Sequence, residues 1–418
     1  TTVKTSGFTA VAGEGYFVDT TSGAISVNLP AGTAGAVVAF KDYLGTFDNN
    51  ALTLVPNGSD KIGGDNTTDA KLEQSGIAVT LVFIDSTQGW LVTDSGLQSE
   101  APTTAFVAAT GGTITTSGNF KIHTFTGPGT FCVSCAGNAG GSNTVDYLAV
   151  AGGGGGGAGY GGGGGAGGYR FSNGTASGCY TAGPSPLGAS ALPVTATSFP
   201  ITVGAGGAAS TGSGSPGSMT AGGNGANSVF STVTSTGGGG GGAHMFSQGQ
   251  RDGKTGGSGG GGGNQDPGAG PGAGGTGNTP PVSPPQGNTG GNGYHDAATF
   301  AGGGGGGGAS AVGGSIPSSP PFGPPTIGTG GAGLTSCITA SPVARGGGGG
   351  GGAHPSRNPA GAGGTGGGGA GGDGAPCGAG TPGTVNTGGG AGGGGANGPT
   401  GNGGVGGSGI VIIRYKFQ

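Results

Sequence analysis

Large side chains and charge are what this sequence has least of. Only 7% of its 418 residues are charged, 6% are aromatic, and Trp90 is the single tryptophan. That shortage argues against one conventional core running through the whole chain. No apolar run is long enough to cross a bilayer. Thr1 is not an initiator methionine and no signal peptide is visible, so a fragment or processed product is expected. The net charge of -4 is unevenly spread. Residues 1–150 carry 5 Lys against 12 acidic residues; residues 151–418 carry 7 basic against 4 acidic. Neither half has the dense basic patch of a nucleic-acid binder.

Catalytic signatures are equally sparse. The four histidines, His123, His244, His295 and His354, are scattered, and no carboxylate pair stands out for hydrolysis. Gly-x-Gly patterns abound, but no strand–helix unit surrounds them to make a nucleotide site. No catalytic residue, metal or cofactor is expected. Of the five cysteines, Cys132 and Cys135 have CxxC spacing. With no second CxxC, structural or incidental thiols are favoured over a metal site. A disulfide clamp among Cys132, Cys135, Cys179, Cys337 and Cys377 stays open, its pairing unassigned.

What is abundant is glycine, 121 residues of 418, where ordinary proteins hold about 7%. The first 98 residues escape this bias. Short apolar or alternating runs (Gly15–Asp19, Ile25–Leu29, Ala36–Phe40, Leu52–Val55, Val79–Ile84, Trp90–Val92) are separated by turn residues, as in a small antiparallel sandwich. Residues 99–151 read as a second, smaller β unit with strands near Thr113–Thr116, Phe120–Phe125 and Thr130–Val133. His123 falls on the polar face of one of them. Val145–Val150 is a further strand. Residues 152–408 are then dominated by runs such as Gly152–Gly157, Gly161–Gly165, Gly302–Gly308 and Gly346–Gly352. Phe199–Val203 and Ser228–Val233 interrupt them as strands. Residues 409–418 end the chain in a strong β-former, expected to pair with 145–150.

Glycine runs usually make flexible linkers. Here they recur over some 250 positions and alternate with apolar, aromatic and proline-bearing segments, which linkers seldom do. Collagen fails, because it needs glycine every third residue. The remaining solution is polyglycine II: threefold left-handed helices without internal hydrogen bonds, packed so that each satisfies its neighbours. Buried positions then accept only Gly, while outer faces tolerate Ala. The expected fold is all-β plus a bundle of polyglycine II helices, with essentially no α-helix.

Val145–Ala151 followed by glycines, Gly165–Arg170, and the closing Gly406–Tyr415 resemble the glycine-rich domain of phage tail-fibre proteins, frequent in phages of marine bacteria and cyanobacteria. Asn119–Phe125 and Gly127–Phe131 are similar to the β segment that often leads into it. Gly15–Thr20 and Thr87–Trp90 resemble a small β module of phage tail proteins. The glycine pattern is also similar to polyglycine-sandwich adhesins at tail-fibre tips. The resemblance implies a non-enzymatic virion fibre that acts outside the cell at the host surface. Its partners would be a bacterial outer-membrane protein or glycan and other tail proteins, with no nucleic acid. A homotrimer is expected, since fibres are commonly trimers. A purely structural fibre or capsid decoration, and an ice-binding polyglycine protein, are the alternatives.

On that reading, binding belongs to the non-glycine loops Phe171–Ala182, His244–Lys254, Tyr294–Phe300, Pro317–Ile327, Leu334–Arg345 and His354–Pro359. Their aromatic, Met, His and Arg residues are typical contact anchors. The candidates are His244, Met245, Phe246, Arg251, Tyr294, His295, Phe322, Arg345, His354 and Arg357. Tyr169, Phe230 and Phe300 are read as apolar covers of the bundle.

Overall fold

A computed structural model describes all residues except 1, 68, 98–103, 175–187, 213–218, 245–247, 265–269, 296–300, 317–327, 355–358, 375–377 and 396–400. The chain forms two compact units, Thr1–Thr103 and Thr104–Gln418.

The first unit is a two-sheet β structure. Its strands are β1 (Phe8–Thr9), β2 (Gly15–Val18), β3 (Ile25–Asn28), β4 (Val37–Asp42), β5 (Leu52–Val55), β6 (Ala70–Leu72), β7 (Ile77–Phe83) and β8 (Trp90–Leu97). One sheet runs β1-β3-β5-β6 and the other β2-β4-β7-β8. Their inner faces share a core of Val18, Val27, Leu29, Phe40, Leu54, Leu81 and Trp90. The pairing is mixed rather than antiparallel throughout: β1–β3, β3–β5 and β2–β4 are parallel. The reason is the winding of the chain. Strands β1 to β5 alternate between the sheets, so each returns beside its next-but-one predecessor in the same direction.

The second unit contains β9 (Val107–Thr110), β10 (Thr113–Ser117), β11 (Phe120–Phe125), β12 (Gly129–Ala136), β13 (Thr144–Val150), β14 (Tyr169–Phe171), β15 (Leu192–Pro193), β16 (Ser198–Thr202), β17 (Ser228–Phe230), β18 (Val233–Ser235), β19 (Tyr294–His295), β20 (Ala301–Gly302), β21 (Leu334–Ser336), β22 (Val343–Arg345) and β23 (Ile410–Lys416). One four-residue helix, α1 (Gln248–Arg251), is present among the described residues. The sheet β10-β11-β23-β13-β14 packs on the sheet β18-β17-β16-β12-β9. Phe131, Tyr147, Phe230, Val411, Ile413 and Tyr415 fill the space between them. The closing strand β23 pairs antiparallel with β13, Val150 opposite Ile410. Both faces of these two strands are buried, the second by Tyr169, Phe171, Leu334 and Ile338. That explains their near-continuous apolar sequence.

Three sequence readings change here. Residues 99–151 are not a unit of their own, because β12 pairs with β16 and β11 pairs with β23. Ser228–Val233 is not one strand: Ser231, at φ 52°, reverses the chain into the β17–β18 hairpin. His123 does not lie on a solvated strand face but is fully buried. Its Nδ1 lies 2.8 Å from the Gly111 carbonyl and its Nε2 3.1 Å from the Tyr415 hydroxyl.

Between β13 and β23 the glycine-rich chain runs back and forth as packed extended segments. The first, Gly152–Gly157, shows the rule. The N–H groups of Gly152 and Gly155 donate to Ala226 and Gly223, those of Gly153 and Gly156 to Gly407 and Gly404, and those of Gly154 and Gly157 to Gly165 and Gly162, all at 2.8–3.0 Å. Its carbonyls repeat the pattern toward three more neighbours: Gly152 and Gly155 accept from Gly238 and Gly241, Gly153 and Gly156 from Gly207 and Ser210, Gly154 and Gly157 from Ala391 and Gly394. The partners recur every third residue, the period that polyglycine II would give. None of these six glycines has positive φ. The antiparallel return, Gly161–Gly168, is likewise surrounded, by the segments around 152–157, 239–242, 258–261, 304–307, 349–352 and 388–394.

This closeness requires glycine. A Cβ on Gly154 would sit 2.1 Å from the Gly239 carbonyl oxygen, and one on Gly156 would sit 1.9 Å from that of Gly392. Toward the outside the same period admits side chains: Gly204 and Gly207 are buried while Ala205 and Ala208 are exposed. Asn224 and Asn227, three residues apart, use their Oδ1 atoms to accept the Gly240 and Gly237 N–H groups at the rim.

Two predictions follow from this packing. Gly154→Ala should destabilise the second unit by about 3 kcal/mol or more through backbone overlap. Gly127→Ala, where an added Cβ meets nothing within 4 Å, should change the thermal midpoint little. Burial, with a smaller push from Lys121, holds His123 below its usual pKa. The unfolded chain therefore takes up this proton more readily, and the contribution is complete above about pH 6.5 and lost as pH falls toward the depressed native value. The thermal midpoint should drop between pH 7 and 5, and His123→Gln should flatten that slope.

Candidate binding surface

The sheets hold one end of the glycine array. The array leaves them at Val150, Thr202, Ser235 and Arg345 and returns at Tyr169, Ser228, Leu334 and Ile410. Ser228 and Ser235 anchor this end through hydroxyl hydrogen bonds to the carbonyls of Val150 and Ala149, both 2.8 Å. Because successive segments run antiparallel, every second reversal falls at the far end.

The candidate loops divide accordingly. His244–Lys254, Tyr294–Phe300, Pro317–Ile327 and His354–Pro359 join segments at the far end. Phe171–Ala182 and Leu334–Arg345 follow segments that have already returned to the sheets. Leu334 and Ile338 pack against β13 and β23, and the Ile338 carbonyl accepts from Arg414 Nη1 at 3.2 Å. Arg345 is thus beside the sheets, and its side chain is only 6% exposed.

At the centre of the far end is Tyr160, which sequence inspection passed over. Gly159 and Tyr160 have φ of 55° and 50° and reverse the chain between the two innermost segments. The Tyr160 ring stacks on His354 and meets His244 edge-on, both at 5.3 Å between centroids. The backbone closes the same point: His244 N–H donates to the Ala158 carbonyl, and Asn264 N–H to that of Tyr160. The available signal was position alone, since Tyr160 is the one large residue inside the stretch 152–168.

His244 and Arg251 reach this end but are buried, at 3% and 4% exposure. They build its floor rather than its surface. Tyr294 and His354 are half-buried. Tyr294 pairs with Gly302 and His295 with Ala301, and Gly302 bridges in turn to Ala353. The backbone thus brings Tyr294, His295 and His354 to neighbouring positions. Met245, Phe246, Phe322 and Arg357 lie outside the described residues, as do Phe300 and the tract Pro320–Pro325.

Cys132, Cys135 and Cys337 are free, the first two exposed on β12; Cys179 and Cys377 lie outside the described residues. Among the described residues no cluster of three His, Cys, Asp or Glu could hold a metal. None of their helices is long and apolar enough to cross a membrane.

Residues 125–416 match the family described as a glycine-rich domain. The chain belongs to that family. The match begins at Phe125, the last residue of β11, and ends at Lys416, the last residue of β23, so it spans the glycine array together with the strands that pin it. No curated protein matches the chain.

Proposed function

We propose that this glycine-rich domain protein is a phage tail-fibre component, and that the far end of its glycine array recognises a bacterial surface. The observation that carries the reading is the segregation of the loops. Four of the six non-glycine loops join segments at one end, where Tyr160, His244 and His354 knit the reversals together. The other end is occupied by packed strands. A glycine array presents almost no side chains along its length, so chemical specificity must reside where the loops emerge. A rigid support also lowers the ordering cost of binding through such loops. The resemblance of the flanking strands to those of tail-fibre proteins supplies the biological setting, and a homotrimeric fibre fits it. Loops of irregular sequence at the far end suit a protein or glycan receptor better than the repeating surface of ice.

The test is adsorption of the labelled full chain to a panel of marine bacteria and cyanobacteria. Saturable binding to particular strains is expected. Exchanging residues 245–247, 296–300 and 355–358 for Gly-Ser of equal length should weaken it at least about tenfold. Val312→Ser and Val385→Ser, at exposed reversals beside the sheets, should leave it unchanged. Adsorption to no strain, or equal loss from both sets of variants, would contradict the assignment.

A further inference from the structure

Arg345 is a buried cation with no counter-charge among the described residues. Its side chain is 6% exposed, its Nη1 has no hydrogen-bond partner, and the Tyr169 hydroxyl next to it is also buried, with only Ser336 beside it. Ser336, 1% exposed, adjoins the Tyr169 phenol, and its own oxygen accepts the Ile338 N–H at 3.2 Å. These three residues belong to β14, β21 and β22, where the array is fastened to the sheet.

The charges nearby do not balance Arg345. In the same layer Asp146 accepts from Ser172 Oγ at 2.6 Å and stands opposite Arg414 in the β13–β23 register. Among the described residues Tyr169 is the titratable group that acts on Arg345, and burial pushes that phenol's pKa up, so it stays neutral. A guanidinium is charged at any ordinary pH, and leaving it buried and unpaired is strongly unfavourable. A water molecule would satisfy hydrogen bonds but not the charge. An anion does both, and the neighbouring groups are donors: a guanidinium N–H, a phenol and a serine hydroxyl.

We propose that Arg345, Tyr169 and Ser336 bind a small inorganic monovalent anion of the halide class, which stabilises the junction between glycine array and sheet. The site is independent of any receptor role. The slight exposure of Arg345 leaves a way in for exchange, and the confined donors favour a single spherical ion over a carboxylate or phosphate.

Crystals of the full chain grown in sodium bromide test the assignment by anomalous scattering. A bromide peak in contact with Arg345 Nη1 and the Tyr169 hydroxyl is expected. In solution, replacing gluconate by chloride at matched ionic strength should raise the thermal midpoint by about 2–4 °C. Arg345→Met should abolish that halide dependence. Should Arg345→Met not fold, Tyr169→Phe removes one donor and should reduce the halide shift. Bromide confined to the outer surface, a water in that position, or a midpoint indifferent to halide in the unaltered chain would overturn the proposal.

Discussion

The hydrogen bond between two closely approaching glycine backbones is the interaction on which the second unit depends. Each such bond contributes only about 1 kcal/mol, and ordering each residue costs roughly 1–2 kcal/mol. An isolated pair of glycine segments would therefore not hold. Six neighbours around one segment change the balance. Every N–H and every C=O of Gly152–Gly157 is engaged, and no group can be released without exposing a partner. The absence of Cβ is what permits this spacing, since an added methyl would overlap a facing carbonyl. Glycine, usually the residue of disorder, is here the only residue that fits.

The array also needs its ends fixed. Strands β13 and β23 enter and leave it side by side, buried on both faces, and the hydroxyls of Ser228 and Ser235, where one segment ends and another begins, bond to β13. This arrangement closes one very long excursion of chain upon a rigid sheet. It also separates two kinds of reversal. Those beside the sheet contribute to packing, as Leu334 and Ile338 do. Those at the far end lie away from the packed strands, where loops can differ in sequence without disturbing the array. The adhesive role proposed for them follows from that division of labour.

Much of this was legible before any coordinates. Homoglycine runs of six or seven exclude collagen and call for mutual backbone satisfaction. The apolar strands Val145–Val150 and Ile410–Tyr415 announced themselves by composition. The rest was hidden for identifiable reasons. Alternation of β1 to β5 between two sheets leaves no local trace, so mixed pairing could not be read from turn spacing. His123 alternates with apolar neighbours as a surface residue would, yet its face is covered by strands distant in sequence. The end of the array at which a loop emerges depends on counting reversals, and Arg345, attractive as a cation in a loop, is buried beside the sheets. Tyr160 was masked by the glycines around it.

Amide hydrogen exchange of the two innermost segments tests the central claim most directly. The N–H groups of Gly152–Gly157 and Gly161–Gly167 should exchange only through cooperative opening of the second unit, as slowly as the amides of β13 and β23. Exchange of those glycine amides at the rate of a free glycine-rich chain, while the strand amides stay protected, would contradict it.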